Sequence, residues 1–559
     1  MTDRTALADL VSGFLDWYLD SHPAVATALG SLAHDHTLGD FSATGFTARE
    51  QAAAQWLTRL DAAATDGVDP ADVVDRDLLV AVLRGERAMA GWPEWRRDPV
   101  VYLRPVFTTL FNAFLHRLRP EPELVASAEA RLAEVPGVLA ECRRNLDPDL
   151  AAPLLVRRAL DQARTARGFL TRTLPAEVAD ERLRARLAAA AEPAAEAFDE
   201  LVGFLTDFAT RARGDWRMGE RLYSTLLTER ELLGYDAAEL HRRGVAAYEE
   251  LDQRMRELAA RLPRTSDREP TDWHRAMADL QDDHPPTLEA MRAEYAATAE
   301  RARAFLVEHG LVTLAEGEQC RVVPAPVFQR PMLAVPAYLA PPPLAPASRV
   351  GHFFVPYPPD GHTEEQVRAR LRGNSRSQLV TIAVHEAYPG HHWHLSWLAG
   401  NPRTVRKVFR TPYFSEGWAL YAEQLLAEHG FFTDLGQQLG HLEARIFRAA
   451  RIVVDTALHC GDMTVEQAEA HMSGKASLPP ETAAAEVSRY CAWPTQAPAY
   501  LTGALEINQI RADYLAANAG SRAPGGDRGG NAVLRSFHDT IAGSGALPLG
   551  LARRVALGS

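Results

Sequence analysis

The stretch "TIAVHEAYPGHHWH" (residues 381–394) decides how the rest of the chain is read. His385 and Glu386 open the pattern H-E-x-x-H, in which two histidines four residues apart hold one metal ion from a single helix face. The second histidine is displaced: Pro389 stands four residues after His385, and His391 and His392 come six and seven after it. In an unbroken helix four residues advance about 400°, a net turn of about 40°, whereas six point a side chain about 240° away. Seven bring it nearly into line but about 10.5 Å further along the axis. Neither histidine then shares an ion with His385 across bonds of about 2.0–2.1 Å. Pro389-Gly390 alters this calculation. Proline removes a backbone donor and presses on the preceding turn, and glycine accepts conformations other residues avoid. The spacing therefore predicts an outward bulge, of the π type common at functional sites, that returns a histidine to the metal face. His391 is the favoured ligand and His392 the alternative.

A second element, "TPYFSEGWALYAEQL" (411–425), begins 20 residues after His391. Many zinc hydrolases take a third ligand from a carboxylate on a following helix. Glu416 is that candidate, because Phe414, Trp418, Leu420 and Tyr421 around it predict partial burial. Glu423 lies seven residues later on nearly the same face and is expected to support the ligands. Glu386, beside His385, is expected to take the proton from the attacking water.

Two further stretches carry polar groups on apolar helices. In "RIFRAARIVVDTALHC" (445–460), Arg448, Arg451, Asp455 and His459 step by three and four along one face,. Such charges are paired when buried. They read either as an ion-pair network or as Asp455 and Arg451 orienting His459 or a metal ligand, with His459 near the reacting carbonyl. In "RYCAWPTQAPAYLTGALEINQIR" (489–511), Tyr500 is suited to donate to a developing oxyanion and Arg511 to bind a substrate carboxylate.

Most of the chain reads as helix. Apolar residues recur at three and four over about 1–25, 122–210, 284–309, 415–428, 441–460 and 497–517. In 239–262 the stripe is Leu240, Val245, Tyr248, Leu251, Met255 and Leu258,. The proline-rich segment 322–361 excludes long helices, and "RVGHFFVPY" within it predicts a short strand in a small sheet. A glycine-rich stretch, 519–532, reads as a surface loop. "RGDWRMGE", near 215, marks a boundary between an N-terminal helical lobe (1–215) and a metal-binding catalytic lobe (216–559).

Composition narrows the partners. A net charge of −13 over 559 residues argues against general nucleic-acid binding,. Four cysteines without any C-x-x-C form neither a disulfide framework nor a thiolate zinc site,. Together with an acidic N-terminal stretch unlike a signal peptide, and no run approaching about 18 apolar residues, they predict a cytoplasmic protein without a membrane partner.

Taken together, "HEAYPGHH", "FSEGWALYAE", "RIVVDTALHCGDMTVEQA" and "RYCAWPTQAPAYLTGALEINQIR" resemble the bacterial domain-of-unknown-function family DUF885. Weaker similarity runs through "RLAEVPGVLAECRRNLDP", "MGERLYSTLLTERELLG" and "AYLAPPPLAPASRVGHFFV", so the resemblance covers nearly the whole chain. It implies a mainly α, two-lobed, zincin-like metallopeptidase fold with a small β element beside the active-site cleft. The distant likeness is to the thimet oligopeptidase, carboxypeptidase Taq and angiotensin-converting enzyme group. By that comparison His385 and His391 match the histidine ligands, Glu386 the general base and Glu416 the third ligand. Tyr500 and His459 fall where oxyanion-stabilising groups lie. One departure is "HHWHLSW": the family more usually has a leucine-glutamine pair after H-H, so Trp393 and His394 are expected to reshape a pocket wall.

The expected function is zinc-dependent hydrolysis of a peptide or amide bond in a small peptide or N-acyl amino acid, with one Zn2+. The donor set also admits Fe2+, Co2+ or Mn2+. The alternatives are a metal-dependent biosynthetic enzyme acting on a small metabolite, with non-haem iron in place of zinc, and a non-catalytic helical binding protein whose site has decayed.

Overall fold

The computed structural model describes residues 3–263, 269–330, 333, 335–345, 348–359, 361–461, 463–519 and 530–558. The chain divides into two compact units. One comprises Met1–Arg230 with Pro342–Ala347, the other Glu231–Pro341 with Ser348–Ser559.

The first unit is helical. Its core is built by helices Val100–His116, Glu121–Asn145, Pro153–Gly168 and Glu181–Ala209, whose apolar stripes meet at Leu110, Leu132, Leu139, Val156, Phe198 and Leu205. Asp180 caps the last of these by accepting from the Leu183 amide, which satisfies a donor the helix itself leaves open,. Arg131 is fully buried there. It donates to the Thr27 hydroxyl at 3.0 Å and the Thr109 carbonyl at 3.4 Å.

The second unit carries every residue of the candidate site. Helix Leu435–Cys460 runs through it, with Leu439, Ile446, Ile452 and Val454 buried. Helix Ala237–Ala259 packs against it, and Gly244 lets that helix approach Ile452 closely. Of the expected stripe, Leu240, Leu251, Met255 and Leu258 are buried, while Val245 and Tyr248 lie at its half-exposed rim.

The proline-rich segment forms a three-stranded sheet in the order β1-β3-β2, from strands β1 (Gln319–Pro324), β2 (Ala337–Leu339) and β3 (Val350–Val355). β1 is parallel to β3 and β2 antiparallel, with Tyr338 opposite Phe353. Phe353 packs edge-on against Tyr295 of helix Leu288–Glu308. Residues 331, 332, 334, 346, 347 and 360 of that segment lie outside the described residues, as do 520–529 of the expected glycine-rich loop.

Candidate metal centre

The stretch around His385 is two helices rather than one bulged helix, which corrects the π-type expectation. Helix Arg376–Glu386 ends at Glu386, a turn follows, and helix His391–Ala399 begins at His391. The Tyr388–Pro389 peptide in the turn is cis. Gly390 passes so close beneath the first helix that a Cβ there would overlap the His385 carbonyl oxygen. Its amide donates to the Val384 carbonyl at 3.1 Å. The Trp418 indole donates to the Pro389 carbonyl at 2.8 Å and ties the turn to helix Pro412–Glu428.

This turn brings His391 beside His385. Their rings stand 4.8 Å apart and perpendicular. Nε2 of His385 lies 3.7 Å and Nε2 of His391 3.3 Å from one oxygen of Glu416. Among the described residues this trio groups its donor atoms within 4.8 Å of one another. Ligand atoms bonded at about 2.0–2.2 Å to one tetrahedral ion sit roughly 3.4 Å apart. The two measured separations bracket that value, and imidazole with carboxylate suits zinc, iron, cobalt or manganese. The residues present fit a metal.

Glu423 stands two turns from Glu416 on the same helix and is nearly fully buried. It accepts from His385 Nδ1 at 2.7 Å and from the Thr381 hydroxyl at 2.7 Å, and His441 Nδ1 lies 3.5 Å away. A proton held on Nδ1 leaves Nε2 with its lone pair toward Glu416. Burial alone would lower the His385 pKa, but Glu416 and Glu423 overrule it and push it up to about 10. Burial would likewise raise Glu416; the two imidazoles instead hold its carboxyl far below the ordinary range.

Glu386 accepts from the Tyr338 amide of edge strand β2 at 2.8 Å. Burial raises its pKa, against the pull of His385 and His391. His392, the alternative ligand, faces away from Glu416. Its Nε2 donates to Glu318 at 2.7 Å, and its Nδ1 accepts from the Tyr338 hydroxyl at 3.0 Å. Glu318 also accepts from Tyr388 and from Arg303, and these donors hold it down to about 2 although burial would raise it. Tyr338 reaches His392 because Gly351 of β3 leaves room for its ring.

Helix Ala499–Ala517 crosses Pro412–Glu428 at Gly503 and Gly417, where neither glycine tolerates a Cβ. Tyr500 lies one turn before that crossing, and among the described residues its hydroxyl has no hydrogen bond. The guanidiniums of Arg451 and Arg448 sit 4.9 and 5.6 Å from its ring centre.

Six expected residues fall outside this cluster. Arg511 is spent on both oxygens of Glu428, at 2.8 and 3.1 Å, and is no free anchor for a substrate. His459 donates to the Tyr490 carbonyl at 3.0 Å, and Asp455 accepts from the Thr495 amide at 3.1 Å. Both fasten helix Leu435–Cys460 to its neighbours. Arg451 binds Glu486 at 2.7 Å and Tyr490 at 3.1 Å, the structural ion pair. Trp393 and His394 are buried in an aromatic layer with Phe414 and Trp418, and burial drives the His394 pKa down to about 3.

Sequence reasoning missed Thr381, His441, Glu318 and Tyr338. Only Thr381 carried a local signal, one turn before His385 on the same helix face.

A family model described as "Bacterial protein of unknown function (DUF885)" matches residues 23–555. No curated protein matches the chain in sequence. Two solved structures share its fold. One, from Shewanella oneidensis, is provisionally named a lipoprotein of unknown function. It is 20% identical, with a TM-score of 0.80 and 99% of each chain covered. The other, from Colwellia psychrerythraea and also provisionally named a lipoprotein, is 18% identical, with a TM-score of 0.81. That match covers 100% of this chain and 99% of the other. Lipoproteins are membrane-anchored or secreted, and those names overturn the cytoplasmic expectation. Widely spaced free cysteines suit either side of a membrane. Among the described residues no helix is long and apolar enough to cross one.

Proposed function

This chain belongs to the bacterial family DUF885, and from that premise we propose that it is a metal-dependent hydrolase of the zincin-like, helical metallopeptidase kind. It cleaves a peptide or amide bond in a small peptide or N-acyl amino acid. What carries the reading is the convergence of His385, His391 and Glu416 on one point, with Glu386 directly after the first ligand.

His385, His391 and Glu416 would hold the ion, which when bound supplies a Lewis acid for the scissile carbonyl. Glu386 takes a proton from the attacking water and delivers it to the leaving amine nitrogen. The Tyr338 amide fixes one of its oxygens. Tyr500, with an unspent hydroxyl, donates to the oxygen of the tetrahedral intermediate. Glu423 and Thr381 hold His385 in the tautomer that ligation needs.

The test is a screen of peptide and N-acyl amino-acid libraries against metal-replete protein, read by mass spectrometry beside Glu386→Gln. The variant is expected to keep its metal and lose turnover; full activity in the variant defeats the mechanism. Two histidines and a carboxylate are also the donor set of non-haem iron oxygenases. Stoichiometric iron in purified protein, with activity that requires oxygen, selects that second reading.

A further inference from the structure

We propose that Arg448 anchors a free carboxylate on the substrate, one residue beyond the reacting carbonyl, so that the site prefers acyl amino acids and peptides cleaved at their C-terminal end. This deepens the hydrolase reading and rests on it. The arginines of this region differ in what they already bind. Arg451 is matched by Glu486 and Tyr490, Arg511 by both oxygens of Glu428, and Arg445 donates to the Leu420 carbonyl at 3.3 Å. Among the described residues Arg448 donates only to the Ala444 carbonyl of its own helix, at 3.1 Å. Its Nε is buried without a hydrogen-bond partner, and among the described residues it forms no ion pair.

A guanidinium in such a place is costly unless its charge and its donors are matched. Burial lowers its pKa, Arg451 adds repulsion, and Glu423, Tyr500 and Glu416 act in the opposite sense. Those two carboxylates are committed to His385 and to the metal position. Glu443, on the same helix, accepts from Gln378, and burial raises its pKa against the pull of that hydrogen bond and of Arg448. The residue as a whole is half-buried rather than sealed in the core. It also lies against the ring of Tyr500, whose hydroxyl is free. A planar fork with open donors recognises a carboxylate in two-point fashion. An amino acid leaving with the amine places its carboxylate charge there.

The experiment uses full-length, metal-loaded Glu386→Gln protein, so that binding is read without turnover. The protein is immobilised and offered a mixture of N-acetyl amino acids and their C-terminal amides, and the retained compounds are quantified by mass spectrometry. At least one acid is expected to be retained 10-fold or more over its amide. Adding Arg448→Gln should erase that preference, and Arg448→Lys should keep part of it. Circular dichroism melting shows whether each variant is folded. Equal retention of acids and amides, retention of neither, or a preference that survives Arg448→Gln overturns the assignment. Acid retention by a protein whose wild type hydrolyses nothing leaves the anchor standing and removes the hydrolase reading instead.

Discussion

His385 Nδ1 and the Glu423 carboxylate are 2.7 Å apart, and Glu423 sits on the helix that also offers Glu416 to the opposite nitrogen of the same ring. One helix thus grips an imidazole from both sides. Removing an outer partner of a ligating histidine typically weakens metal binding by about 10- to 100-fold. Glu423→Gln is therefore expected to lower zinc affinity by that factor with the fold intact. Glu416→Gln is expected to cost more, because it removes a ligand. Competition titration against a chromogenic chelator measures both, and equal affinities in the two variants would sink the division of roles.

Gly390 sets the distance between the two histidines. A methyl group there meets the His385 carbonyl, which is backbone and cannot step aside. Gly390→Ala must open the turn, at a cost of about 1–3 kcal/mol or more for overpacking, and move His391 away from Glu416. Thermal unfolding and metal titration together check this. A variant that matches wild type in both shows that the turn has slack.

His391 and His392 are adjacent in sequence and opposite in role. His391→Ala should abolish tight metal binding while shifting stability modestly. His392→Ala should retain the metal but remove one charge-assisted hydrogen bond from Glu318, which keeps Arg303 and Tyr388, a loss of roughly 1.5–3 kcal/mol. Metal content and melting temperature separate the two. Metal loss confined to a folded His392→Ala would reverse the assignment.

The parts of the site that follow from local geometry were legible in the sequence. Pro389-Gly390 announces a break, and Glu416 and Glu423 share a face because seven residues nearly complete two turns. The helical spans and the strand at 350–355 follow in the same way from periodicity and from proline and aromatic content. What was not legible is which neighbour each residue on Leu435–Cys460 faces. Its polar residues look like one stripe, but the helix is wrapped on several sides. His441 turns toward Glu423, Arg451 and His459 toward helix Pro480–Ala492, and Asp455 toward Thr495. Periodicity assigns a face, and only packing assigns its partner. Glu318 and Tyr338 were invisible for a related reason. They come from strand ends and loops about 50 to 70 residues upstream, with no spacing rule to link them to His392 and Glu386.

The network around Glu486 gives a pH dependence whose sign is determined. Burial alone would raise the Glu486 pKa, but Arg451, Arg489 and the Tyr490 phenol bring it down from 4.5 to about 2. A carboxylate whose folded pKa is depressed stabilises the fold fully above its unfolded value. That contribution is lost as pH falls from about 4.5 through about 2. The shift corresponds to about 3 kcal/mol at neutral pH, little discounted because the side chain is only 20% exposed. Glu486→Gln should therefore unfold more easily than wild type at pH 7, leaving Arg451 buried beside Tyr490 without its counter-charge. The gap should narrow steadily below pH 4.5 and close near pH 2, where wild type has lost the same charge. Urea unfolding of metal-free protein at pH 7, 5, 4 and 3 measures it, and stability curves that stay parallel over that range show that Glu486 is not held in its ionised form by the two arginines.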